Sequence, residues 1–189
     1  MIELDIFSDT VCPWCYIGKK RLEKAINNHK NQEFKQTWRP FQLNPGMPPD
    51  GMDRQEYLIS KFGSADAAKT IYENIYDEGL LEGINFNFDS IKTTPNSFNS
   101  HRLLALAYKQ GIQENVLNSL FESYFLNGED LGDPNILLEI AIKHQIDAEN
   151  FKTYLSDQEN IEPLANEEIQ ARKMGINSVP TFIVNKQIV

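Results

Sequence analysis

Apolar and polar residues alternate from Ile2 to Phe7, the period of a strand with one buried face. Beyond Cys15 the period changes. Tyr16, Ile17, Leu22 and Ile26 can share one face of a helix, and Asn27-Asn28 with His29 end it. Phe34–Leu43 returns to strand character, with Phe34, Trp38 and Phe41 among its aromatic residues. Strand, helix and strand in so short a span make a βαβ unit. Segment 44–51, with Pro45, Gly46, Pro48, Pro49 and Gly51, can only be a loop.

From that loop to Gly175 the chain reads almost wholly as helix. Ser64 is placed to cap a run through Tyr76, and Ser97 to cap another that stops at Gly111. Val116, Leu117, Leu120, Phe121 and Tyr124 keep helical spacing up to Gly128, and Pro134 suits the first position of the next helix. A last helix is predicted from Glu159 to Met174, and strand character returns only at Thr181–Val184. The layout predicts an α/β domain interrupted by a helical insertion, with residues 1–45 and 159–189 forming the α/β part and 46–158 the insert.

Composition narrows the function. The 189 residues include 11 Phe and 7 Tyr, so a substantial core can form, and a net charge of −9 argues against polynucleotide or anionic-membrane partners. The basic trio Lys19-Lys20-Arg21 is read as a solvated helix face. No stretch approaches about 20 apolar residues, so none is expected to span a bilayer. Met1-Ile2-Glu3-Leu4-Asp5 lacks the basic and apolar regions of a signal peptide, which places the expected location in the cytoplasm.

The chain has two cysteines, Cys12 and Cys15, directly after a strand and at the start of a helix. At i and i+3 their Cα atoms can lie within the roughly 4.4–6.8 Å that a disulfide needs. Cys12 falls near the helix N-terminus, where unpaired N–H groups and the positive dipole end favour a thiolate, the reactive form of the group. Pro13 suits the first turn because its missing N–H has no helical partner to lose. Cys15, one turn inside, is expected to be more buried and to act as the resolving thiol. Half of a zinc site is the other reading of such a pair, but no second Cys-x-x-Cys or His-x₃-His supplies the remaining ligands, and no metal is expected. Far along the chain, Ser178-Val179-Pro180-Thr181-Phe182 leads into the last strand.

Four segments in order carry a family resemblance: Val11-Cys12-Pro13-Trp14-Cys15-Tyr16, Pro40-Phe41-Gln42-Leu43-Asn44-Pro45, Pro95-Asn96-Ser97-Phe98 with His101-Arg102, and Gly175–Phe182. Together they resemble the DsbA-like thiol–disulfide oxidoreductases, in particular the FrnE-like branch, which is related to 2-hydroxychromene-2-carboxylate isomerases and kappa-class glutathione transferases. The resemblance implies an α/β thioredoxin fold with an inserted α-helical domain. It places a cis Val179–Pro180 bond opposite the cysteines, with Pro13, Trp14, Val179 and Pro180 as their neighbours. It further implies dithiol–disulfide exchange with protein or small-molecule disulfides and thiols. No bound cofactor is implied beyond the redox-active Cys12–Cys15 pair, with glutathione as a candidate co-substrate.

Asn96 and His101 are candidates for lining a substrate cleft, although packing of His101 with Phe98, Ala105 and Tyr108 on one helix stripe is the favoured reading. His29 and His144 fall near predicted helix ends and are read as structural. The alternative functions are a glutathione-dependent isomerase or transferase, and a binding module or holdase built on the cleft beside Trp14. Two departures from the family pattern stand out. Many redox members of the fold carry a buried carboxylate six residues before the first cysteine, where this chain has Ile6, with Asp5 expected on the opposite face. Proton removal from Cys15 would then fall to water, Asp9 or another group. A further strand and helix are expected beyond Val189.

Overall fold

The structure is a computed structural model, and it describes residues 1–188. Along β1 (Ile2–Ser8), Leu4 and Ile6 are buried in the main core, while the Asp5 carboxylate accepts a 2.7 Å hydrogen bond from Arg39 of β2 (Phe34–Pro40). Arg39 also pairs at 2.9 Å with Glu167 of a helix at Ile161–Lys173, so Asp5 does face away from the core side of Ile6. β1 runs parallel to β2 and antiparallel to β5 (Thr181–Val184), which turns back into β6 (Gln187–Ile188). The resulting sheet order is β2-β1-β5-β6, with Ile6 opposite both Trp38 and Phe182. The expected elements beyond Val189 lie outside the described residues.

Between β1 and β2 runs α1 (Pro13–Asn27). Between β2 and β5 come β3 (Met52–Asp53), α2 (Arg54–Phe62), α3 (Ala65–Leu81), β4 (Thr93–Thr94), α4 (Phe98–Lys109), α5 (Gln113–Glu122), a π-helical turn at Ser123–Asn127, α6 (Pro134–Lys143), α7 (Ala148–Ser156) and α8 (Ile161–Lys173). This is a thioredoxin-like α/β fold carrying a long helical insertion. One hydrophobic core runs through sheet and insert alike, joining Leu4, Ile6 and Trp38 to Leu103, Leu117 and Phe121. Tyr16 of α1 stacks on Phe121 at 4.9 Å between ring centres and meets Phe86 edge-on at 6.0 Å, which pins α1 to the insert.

Several boundaries differ from the sequence reading for identifiable reasons. β2 stops at Pro40 instead of Leu43, because the Leu43 N–H turns away to the Asp9 carboxylate at 2.7 Å. Ser64 caps its helix as expected, but the run extends to Leu81, and a separate α2 precedes it, capped by Asp53 through the N–H groups of Gln55 and Glu56. Ser97 occupies the N-cap position of α4 without a capping side-chain bond; Oδ1 of Asn96 takes the Phe98 N–H instead, at 3.0 Å. The paired β3 and β4 fall in a stretch that reads as helix. Lys19 corrects the reading of a solvated basic trio. It is fully buried, its ammonium bonded to Glu23 and, at 3.1 Å, to Glu114 of α5, while Arg21 pairs with Glu78 and Glu82.

Candidate active site

β1 delivers the chain to the cysteines through a short buried loop, and α1 receives them. Cys12 is the N-cap residue of α1 and Pro13 opens the helix, whose first turn has no acidic side chain to oppose a thiolate. The Cys12 carbonyl accepts the Cys15 N–H at 3.0 Å, the first turn that fixes the two thiols on one side. Both cysteines are free thiols. Cys12 retains 3% exposure and Cys15 none, the ordering expected for an outer and an inner thiol. Burial is the main influence on Cys15, pushing its thiol well above the usual range; the neighbouring Cys12 adds to this, while the Asp9 backbone N–H and the Ser8 hydroxyl oppose it. Trp14, between them, is 40% exposed and forms part of the outer rim.

The opposite wall comes from the far end of the chain. The Val179–Pro180 peptide bond is cis, and the Val179 carbonyl is 3.8 Å from the Cys12 sulfur, with the thiol as donor. Gly18 admits this wall: a Cβ built there would lie 2.8 Å from Cγ of Pro180. Nothing in the local pattern singles out Gly18, since a glycine inside a helix registers only as a weak helix former.

The loop before Cys12 holds the polar chemistry. Asp9 is fully buried. Its Oδ2 accepts the Leu43 N–H at 2.7 Å, its Oδ1 the Val11 N–H at 3.4 Å, and its carbonyl the Cys12 N–H at 3.1 Å. His101 of α4 brings Nε2 to 3.5 Å from Asp9 Oδ1 and has no hydrogen-bond partner at that atom. Next to them Thr10 and Ser100 share a 2.6 Å hydroxyl contact. Of the stripe expected around His101, Tyr108 is 44% exposed, while His101 itself is buried with Nε2 towards the cysteine loop. Asn96 is committed internally, accepting from Gln42 at 3.0 Å and donating to the Met47 carbonyl at 2.7 Å, so its amide clasps the loop after β2. His29, just past α1, bonds the Ala25 carbonyl of its last turn, and His144, just past α6, contacts Ser119.

Among the described residues, no group of three or more His, Cys, Asp or Glu side chains is placed to hold a metal ion, and no helix is long and apolar enough to cross a membrane. The chain is 26% identical to the YwbO protein of Bacillus subtilis over 197 residues, covering 100% of this chain and 89% of that one. In structure it is similar to the probable DsbA oxidoreductase SCO1869 of Streptomyces coelicolor, with a TM-score of 0.88 and 28% identity over 98% of this chain and 81% of that chain. It also shares its fold with the cytosolic disulfide reductase DsbM of Pseudomonas aeruginosa solved with GSH, at a TM-score of 0.71 and 16% identity, covering 99% and 88% of the two chains. Residues 3–189 match the family described as the DSBA-like thioredoxin domain, and the chain belongs to that family.

Proposed function

We propose that the chain is a thiol–disulfide oxidoreductase working through Cys12 and Cys15. The observation that carries this reading is the pairing of a helix-N-terminal thiol, Cys12, with a buried second thiol one turn inside, beneath the Val179 carbonyl edge. The Cys12 thiolate attacks one sulfur of a substrate disulfide. A Cys12–substrate bond forms, the substrate S–S bond breaks, and the departing thiolate takes up a proton. Cys15 then gives up its proton, to water or to Asp9, and its sulfur attacks that of Cys12. This closes the Cys12–Cys15 disulfide and expels the second substrate thiolate. Two electrons pass from the dithiol to the substrate, and the same steps in reverse oxidise a substrate dithiol. A small thiol such as glutathione is a suitable co-substrate for restoring the dithiol.

The test is trapping. In Cys15→Ser the mixed disulfide has no internal escape, so adducts on Cys12 accumulate and insulin reduction falls. Cys12→Ser forms almost none. The i, i+3 geometry gives Cys15 a high effective concentration, so wild-type adducts are too short-lived to isolate. A glutathione-dependent isomerase or transferase would keep its activity in Cys15→Ser without accumulating adducts. Full activity in both variants would end the thiol-exchange reading.

A further inference from the structure

A groove of about 880 Å³ runs along α3, walled by Ala68, Tyr72 and Tyr76 on one side and by Phe86, Phe88 and Ile91 on the other. Arg54, the first residue of α2, stands in its lining and is only 4% exposed. Its Nη1 donates to Thr94 Oγ1 at 3.1 Å, and its guanidinium carbon lies 4.9 Å from the ring centre of Tyr72 and 5.7 Å from that of Tyr57. The other arginines are provided for. Arg21, Arg39 and Arg172 are ion-paired, and Arg102 donates to the carbonyls of Leu155, Tyr154 and Asp157. Among the described residues, no carboxylate comes within ion-pair distance of Arg54.

A buried cation is costly unless an anion or several acceptors compensate it. One hydroxyl and two ring faces hold the Arg54 side chain in place but do not balance its charge, and stacking on rings leaves the in-plane N–H edges of the fork free for a planar acceptor. We propose that the groove binds a small organic monocarboxylate, its carboxylate on Arg54 and its apolar body against Tyr72 and Phe88. A single negative charge matches Arg54, the buried cation of the lining that has no carboxylate partner. Polyanions are disfavoured because Asp66, Glu73, Asp77 and Asp89 also line the groove, while Lys69 faces Glu73 at 3.9 Å and Lys92 is bonded to the Asp89 carbonyl. This site is separate from the thiol reaction and does not depend on it.

Titration with sodium benzoate, followed by the Arg54 Nε–H and Tyr72 ring signals in NMR, tests the proposal. Benzoate should shift both saturably. Benzyl alcohol, the same ring without the charge, and inorganic phosphate should each bind at least tenfold more weakly. Arg54→Met should lose at least tenfold in benzoate affinity, and benzoate should raise the unfolding temperature of the wild type but not of this variant. Equal binding of benzyl alcohol or phosphate, or benzoate shifts confined to residues outside the groove, would overturn it. The wild-type comparison of three probes decides the matter even where Arg54→Met fails to fold.

Discussion

Nε2 of His101 lies 3.5 Å from Oδ1 of Asp9, and both side chains are removed from solvent directly behind the cysteine loop. The pair joins a loop of the α/β part to α4 of the insert, so the position of Cys12 depends on both. Asp9→Asn keeps the size but replaces one acceptor oxygen with an N–H₂ donor, which cannot serve both Leu43 and Val11. We expect a loss of about 1–3 kcal/mol in urea unfolding of the reduced protein. The mixed-disulfide lifetime reports the proton's route: lengthening would place the Cys15 proton on Asp9, and an unchanged lifetime would send it elsewhere. A double-mutant cycle with His101→Phe should show coupling of about 0.5–3 kcal/mol; strictly additive effects would mean the two residues act independently.

Cys15 makes the reduced protein sensitive to alkali. Burial, the largest influence, raises its folded value above that of the unfolded chain, so the folded state favours the neutral thiol. That contribution is complete below the unfolded value of about 8.5 and declines as pH rises beyond it towards the folded value, by up to about 1.4 kcal/mol per pH unit. Between pH 7 and 10 the stability of the reduced wild type should therefore fall faster than that of Cys15→Ser. For the same reason iodoacetamide at neutral pH should label Cys12 well before Cys15, as read by mass mapping. Equal labelling would show that Cys15 is not shielded.

The sequence made legible what is set locally. The alternation of Ile2–Phe7, the spacing of Cys12 and Cys15 and the entry of Pro134 into its helix each depend on a few neighbouring residues, and each matches an element of the structure. What escaped depends on partners far away in the chain. Lys19 looks solvated until Glu114, 95 positions on, is placed beside it. The two-residue β3 and β4 are too short to show a period, and their pairing joins Met52 to Thr94. The approach of His101 to Asp9 escapes for the same reason, because nothing in the neighbourhood of Asp9 reveals that a residue 92 positions on lies beside it.

Lys19 supplies an acid-side test. Burial raises the Glu23 carboxyl, but its bonds to Lys19 and Lys20 outweigh this and hold it below the ordinary range. A depressed carboxylate contributes stability above its unfolded value of about 4.3 and loses it as pH falls. Lys19→Met keeps the apolar stem and removes the charge, leaving Glu114 without its ion pair and Glu23 with Lys20 alone. We expect it to cost about 1–3 kcal/mol at pH 7. The gap from wild type should narrow below pH of about 4, as Glu23 protonates. A gap independent of pH would assign the whole effect to packing.

Gly18 sets two effects against each other. On helix propensity alone, Gly18→Ala would stabilise α1 by about 1 kcal/mol. The new methyl, however, would sit 2.8 Å from Cγ of Pro180, a ring atom that cannot swing aside as the end of a long side chain can. Relieving such an overlap costs about 1–3 kcal/mol, so the clash should win, and the segment that yields is the one presenting Val179 to Cys12. Gly18→Ala should therefore slow insulin reduction several-fold while far-ultraviolet dichroism stays unchanged. Gly46→Ala is the control, since a Cβ there meets nothing within 4 Å and its effect should stay within about 0.5 kcal/mol. Should Gly18→Ala instead be more stable than wild type and fully active, the Pro180 wall would have no part in positioning the Cys12 thiol.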